Sequence, residues 1–99
     1  MKLDHIAVCV NDIEESITWY KDNFNARVTY CDSTWAMLDV HGTQIALTMP
    51  EEHPAHIAFS VDSFSEHVSE EEINTHRDKS KYVYLKDPSG NTIELIAYK

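Results

Sequence analysis

The chain has 99 residues, enough for one compact domain (1–99) and too few for two independent cores. Charged residues make up 25% and hydrophobic residues 42%, with no apolar run long enough to span a bilayer and no basic–apolar leader, so a cytoplasmic globular protein is expected. A formal net charge of -9 repels phosphate backbones and anionic lipid, which argues against nucleic-acid and membrane partners.

In chain order, His5 to Val10 reads as a strand. Asp12 is a good N-cap with Glu15 three residues on, and Ile13, Ile17 and Tyr20 are spaced for one helical face, which predicts a helix over Ile13 to Lys21. Ala26 to Cys31 and Thr34 to Val40 are strand-like around the turn Asp32-Ser33. His41-Gly42 marks a hairpin, Gln44 to Met49 is the next strand, and Pro50 to Pro54 is a linker. The pattern then recurs. Ala55-His56-Ile57-Ala58-Phe59 resembles Asp4-His5-Ile6-Ala7-Val8, and Asp87-Pro88-Ser89-Gly90 resembles Asp39-Val40-His41-Gly42. Phe64 to Glu71 reads as a short second helix, Ile73 to His76 as a stunted strand, and Tyr82 to Lys86 and Thr92 to Ala97 as firm strands. The expected fold is α+β: two βαβββ modules, 1–50 and 54–99, forming a curved mixed sheet around a pocket. Neither half can bury its sheet face alone, so the halves must pack on each other or on a second chain.

Strand side chains alternate faces. The bulky residues Ile6, Val8, Ile57, Phe59, Ile93 and Leu95 mark the core face, whereas His5, His56 and Glu94 lie on faces lined by small or polar residues. A carboxylate inside Ile93-Glu94-Leu95-Ile96 is costly to bury unless it is paired or coordinates a cation. Two imidazoles and one carboxylate form a facial triad for one divalent metal ion, with Fe(II) favoured and Mn, Zn or Ni as alternatives. Cys9, Trp35, Ala46, Ser60 and Tyr82 are read as lining the substrate pocket. Cys9 and Cys31 lack the spacing of a zinc or redox pair and are expected as reduced, buried or half-buried thiols. His53 and His67 are expected to be exposed, and the acidic patches Glu51-Glu52 and Glu70-Glu71-Glu72 to be solvated.

The paired Asp-His-Ile-Ala-Val and Ala-His-Ile-Ala-Phe strand openings, with the ending Asp87-Pro88-Ser89-Gly90-Asn91-Thr92-Ile93-Glu94-Leu95, resemble the vicinal oxygen chelate superfamily. That group includes glyoxalase I, extradiol dioxygenases, fosfomycin-resistance thiol transferases and bleomycin-binding proteins. The resemblance implies a metal held by His5, His56 and Glu94, a small-molecule substrate with adjacent oxygens, and a homodimer. Glyoxalase I enzymes carry a further carboxylate in the first module's last strand, where this chain has Ala46. The run Asn74-Thr75-His76, Val83-Tyr84, Asp87-Pro88 resembles extradiol ring-cleaving dioxygenases and implies that Tyr84 and His76 are catalytic groups on a catecholic oxygen. Ring cleavage is therefore the leading expectation. A glyoxalase-type lyase or isomerase and a thiol transferase are alternatives, the transferase lower because so acidic a chain is a poor anion trap. A metal-free drug-binding protein, with a cleft built by Trp19, Trp35, Tyr82 and Tyr84, is the third reading.

Overall fold

A computed structural model describes residues 1–64 and 68–98. The strands are β1 (Lys2–Cys9), β2 (Arg27–Cys31), β3 (Trp35–Val40), β4 (Thr43–Thr48), β5 (His56–Ser60), β6 (Asn74–Thr75), β7 (Lys81–Lys86) and β8 (Thr92–Ala97), with one α-helix among the described residues, α1 (Ile13–Phe24). Two compact units divide the chain, residues 5–55 and residues 1–4 with 56–99. The fold is α+β with mixed strand pairing in both units, as the sequence pattern predicts.

In the unit of residues 5–55, β1 pairs parallel with β4, β4 antiparallel with β3, and β3 antiparallel with β2. The Glu15 amide donates to Asp12 Oδ1 at 2.9 Å, capping α1 as its sequence predicts. The helix runs three residues past the predicted Lys21, to Phe24, because the stop lies at Asn25. That residue is left-handed (φ 56), and its amide closes on Lys21 O at 3.0 Å. Ile13 is fully buried with Ala26, Ala36, Leu38 and Leu47, and Ile17 and Tyr20 pack against them. Burying such an aliphatic side chain stabilises the fold by about 1.5–3 kcal/mol. His41 and Gly42, both at positive φ, make the two-residue hairpin between β3 and β4, and Gly42 N–H donates to Asp39 Oδ1 at 2.9 Å.

In the other unit, β5 pairs parallel with β8, β8 antiparallel with β7, and β7 antiparallel with β6. The core is Phe64, Val83, Leu95 and Ala97, with Phe59, Val61, Val68, Ile73 and Leu85 against it. Phe59 and Leu95 lie in this core as expected, whereas Ile57, expected on the core face, is 41% exposed and Ile93 is half-buried outside the cluster. Three further expectations change across the chain. The helix predicted over Phe64 to Glu71 is a 3-10 turn at Glu70–Glu72 among the described residues; its middle, with His67, lies outside them. Glu70–Glu72 buries no residue. The thiols of Cys9 and Cys31 are free as expected, but exposed rather than buried. His53 is half-buried rather than exposed. No helix among the described residues is long and apolar enough to cross a membrane.

Candidate metal centre

Strand β8 carries Glu94 on the face opposite the Leu95 core. The residue is only 1% exposed, and its neighbours across the ladder are Ala58 of β5 and Tyr84 of β7. Ala58 is fully buried, so its small side chain leaves room beside the carboxylate. Two residues before Ala58, on the same face, stands the buried His56. Its Nε2 lies 3.3 Å from Glu94 Oε1. The second carboxylate oxygen, Oε2, lies 2.8 Å from His76 Nε2. His76 enters from the turn after β6, and its ring lies flat on Tyr82 with centroids 3.6 Å apart and planes at 12°. Tyr84 completes the aromatic wall, 5.3 Å from the His56 ring and 5.3 Å from Tyr82.

His5 follows Asp4 directly in β1, and Asp4 is fixed by the Tyr98 hydroxyl, which donates to its Oδ2 at 2.7 Å. His5, like His56 and Glu94, is buried. The donor chemistry fits a divalent cation. Two imidazoles and a carboxylate are a ligand set for such an ion, and a cation would offset the cost of enclosing the Glu94 charge.

Tyr84 is set apart electrostatically. Burial first, then the charge of Glu94 and the neighbouring Tyr82, push its phenol well above the ordinary tyrosine range. It is therefore a proton-bearing donor at neutral pH.

The predicted pocket residues fall as follows. Tyr82 is in the aromatic wall. Ser60 ends β5, and its hydroxyl donates to Lys2 O at 3.4 Å. Ala46 is buried opposite Ala7 and Met37. Trp35 stacks on Tyr30 at 4.5 Å. Cys9 is exposed, with its sulfur 3.8 Å from Thr48 Oγ1. Sequence reasoning missed the turn that holds His76. His76 N–H donates to Ser80 O at 2.9 Å, Lys79 N–H donates back to His76 O at 3.0 Å, and Ser80 N–H donates to Asp78 Oδ1 at 2.9 Å. The Asp78-Lys79-Ser80 triplet, an aspartate two residues before a hydroxyl, is the signal that was available for it.

Comparison with known proteins adds to the geometry. Residues 2–95 match the family described as the Glyoxalase/Bleomycin resistance protein/Dioxygenase superfamily. The chain is 30% identical to the metallothiol transferase FosB of Staphylococcus epidermidis, over 94% of this chain and 79% of that protein. It is 26% identical to the metallothiol transferase FosB of Lysinibacillus sphaericus, over 93% and 79%. Among solved structures, methylmalonyl-CoA epimerase from Mycobacterium tuberculosis superposes with a TM-score of 0.78 at 19% identity, over 99% of this chain and 88% of that one. A hypothetical protein from Bacillus halodurans gives 0.79 at 21% identity, over 99% and 94%. At such identities these structures speak for the fold alone.

Proposed function

The chain belongs to the glyoxalase/bleomycin resistance protein/dioxygenase superfamily, and on that premise we propose that it is a metal-dependent enzyme transferring a thiol to a small electrophilic molecule. The observation that carries this reading is the enclosed Glu94 carboxylate, 1% exposed, with an oxygen 3.3 Å from His56 Nε2. Its likeness to two metallothiol transferases supplies the reaction class. In this reading His5, His56 and Glu94 hold one divalent ion, with Fe(II), Mn(II), Zn(II) and Ni(II) all compatible with the donor set. When bound, the ion supplies Lewis acidity to an oxygen of the electrophile. The thiol sulfur forms a bond to the electrophilic carbon, the carbon–oxygen bond breaks with its electron pair going to the oxygen, and the proton lost by the thiol ends on that oxygen. Tyr84, kept protonated by its surroundings, donates a hydrogen bond to that oxygen. The acidic surface favours a neutral or cationic electrophile over an anionic one. The two modules act as one domain, and a homodimer is part of the proposal: every residue of β2 is exposed, and among the described residues β2 pairs with β3 alone.

Ring cleavage, the leading expectation from sequence, has less support. The curated relatives are transferases, and the His76 nitrogen expected on a catecholic oxygen is turned to Glu94.

The test has two stages. Elemental analysis of protein purified without chelator is expected to give one equivalent of a divalent metal. Loss of free thiol and a thioether product by mass spectrometry are then expected with neutral electrophiles, and Tyr84→Phe is expected to slow turnover about 100-fold. Oxygen uptake with catechols on the Fe(II)-loaded protein, without thiol consumption, would overturn the transferase reading in favour of ring cleavage.

A further inference from the structure

We propose that His76 is a positioning residue for the metal centre, fixing the Glu94 carboxylate so that Oε1 alone is offered to the ion. This rests on the metal-binding reading above and adds a residue that the ligand set does not contain.

Three independent restraints converge on His76. Its backbone is closed at both ends, N–H to Ser80 O at 2.9 Å and O from Lys79 N–H at 3.0 Å. Lys79 holds a left-handed conformation, φ 76, that makes this tight return possible. The ring is clamped face to face on Tyr82 at 3.6 Å. With backbone and ring both set, Nε2 arrives 2.8 Å from Glu94 Oε2, in line with a hydrogen bond to a charged acceptor.

The carboxylate is thereby divided. Oε2 is engaged by His76, and Oε1 faces His56 Nε2 at 3.3 Å, on the side of the ligand cluster. A free glutamate has three side-chain torsions to settle before it can ligate, and rotation about the last one exchanges its two oxygens. The bond from His76 removes that freedom before the ion arrives. With an ion bound, a donor on the far oxygen would leave Oε1 as the oxygen that Glu94 offers. The geometry requires His76 to carry a proton on Nε2, since a carboxylate oxygen only accepts. Outer partners of this kind typically govern metal affinity by 10–100-fold.

The experiment titrates Mn(II) into the metal-free full chain and follows the free ion by electron paramagnetic resonance. Wild type, His76→Ala, His76→Gln and Tyr82→Leu are compared, with near-ultraviolet circular dichroism confirming that each is folded. We expect His76→Ala to weaken Mn(II) binding 10–100-fold. His76→Gln should recover most of the loss, because its amide N–H reaches about as far as Nε2. Tyr82→Leu should fall between. If His76→Ala does not fold, His76→Gln against His76→Glu decides: the glutamine should bind well, and the glutamate, which offers an acceptor in place of a donor, should bind at least 10-fold worse. A readout without metal runs in parallel. Imidazole nitrogen NMR of the metal-free chain should show His76 Nε2 protonated and hydrogen-bonded, and Glu94→Ala should abolish that signature. Binding by wild type that is unchanged in His76→Ala overturns the positioning role and leaves the metal centre standing. No binding by wild type overturns the metal centre and this role with it.

Discussion

The two modules share a strand plan and differ in what they place on it. In each, a first strand pairs parallel with the last, and the last pairs antiparallel with its predecessor. His56 and His5 occupy the same place in the repeat, one residue before an isoleucine and two before a buried alanine. Opposite Ala7 stands Ala46, and opposite Ala58 stands Glu94. Opposite Ala46 stands Met37, and opposite Glu94 stands Tyr84. Trp35 and Tyr82 correspond one step further along. The first module has a 12-residue capped helix over its core, and the second has a 3-10 turn among its described residues. One module thus carries the better-covered core, and the other the carboxylate, the phenol and the histidine that steadies the carboxylate. The backbone repeat sets where side chains can meet, and single differences at matched positions set which copy carries the buried carboxylate.

The largest effects should come from exchanging the matched pair Ala46 and Glu94. Ala46→Glu introduces a carboxylate at a site only 4% exposed, beside Ala7 and Met37, where no partner replaces water. The metal-free protein should lose about 3–5 kcal/mol, a drop readable as a falling urea midpoint. Glu94→Ala should abolish Mn(II) binding over the range in which wild type saturates. A Glu94→Ala variant that still binds one equivalent would break the comparison, since the modules would then be chemically alike. Next in size is the ion itself. Saturation at about 100 times the dissociation constant should add about 2.7 kcal/mol, seen as a melting point about 10–20 °C higher that returns to baseline with chelator. Third is the helix that, among the described residues, only the first module has. Asp12→Ala removes the acceptor for Glu15 N–H and should cost about 1 kcal/mol, with metal affinity unaltered.

Much of this was legible in the residues because each local signal agreed with the fold. The Asp12 cap, the His41-Gly42 hairpin, the alternation around Glu94 and the repeat itself led to the strand plan and to His5, His56 and Glu94 as candidates. Other features were not legible, for physical reasons. The 3-10 turn at Glu70–Glu72 buries no residue, and whether so acidic a stretch is held as a helix is a balance of tertiary contacts. The stop of α1 turns on Asn25 going left-handed, although Asp22 and Asn23 look like equally good places to end. The orientation of His76 depends on a ring stack and a turn closure that no spacing rule encodes. Sequence placed His76 near the site as a group on substrate, and its bond to Glu94 is seen only in the folded chain. The reaction class was least legible, because the same ligand triad serves several chemistries.

The smallest expected effect separates two turns that look alike. Asp32-Ser33-Thr34 leads into β3 and Asp78-Lys79-Ser80 into β7, each with an aspartate accepting from the residue two ahead: Thr34 N–H at 2.8 Å and Ser80 N–H at 2.9 Å. The Thr34 amide, with Tyr30, Trp35 and the Thr34 hydroxyl assisting against partial desolvation, holds Asp32 at about 2. The Ser80 hydroxyl and amide hold Asp78 below its ordinary value in the same way. A carboxylate whose folded value is depressed stabilises the fold above its unfolded value of about 3.9, and that contribution is lost as pH falls below it, toward about 2 for Asp32. Both side chains meet solvent, so Asp32→Asn and Asp78→Asn should each cost no more than about 1 kcal/mol at pH 7, with the difference from wild type vanishing at low pH. The two should diverge in a second measurement. Asp78 secures the turn that delivers His76, so Asp78→Asn should also weaken Mn(II) binding severalfold, whereas Asp32→Asn should leave it unchanged. Equal Mn(II) affinities for the two variants would mean that the turn is structural in both modules and that the Tyr82 stack alone places His76.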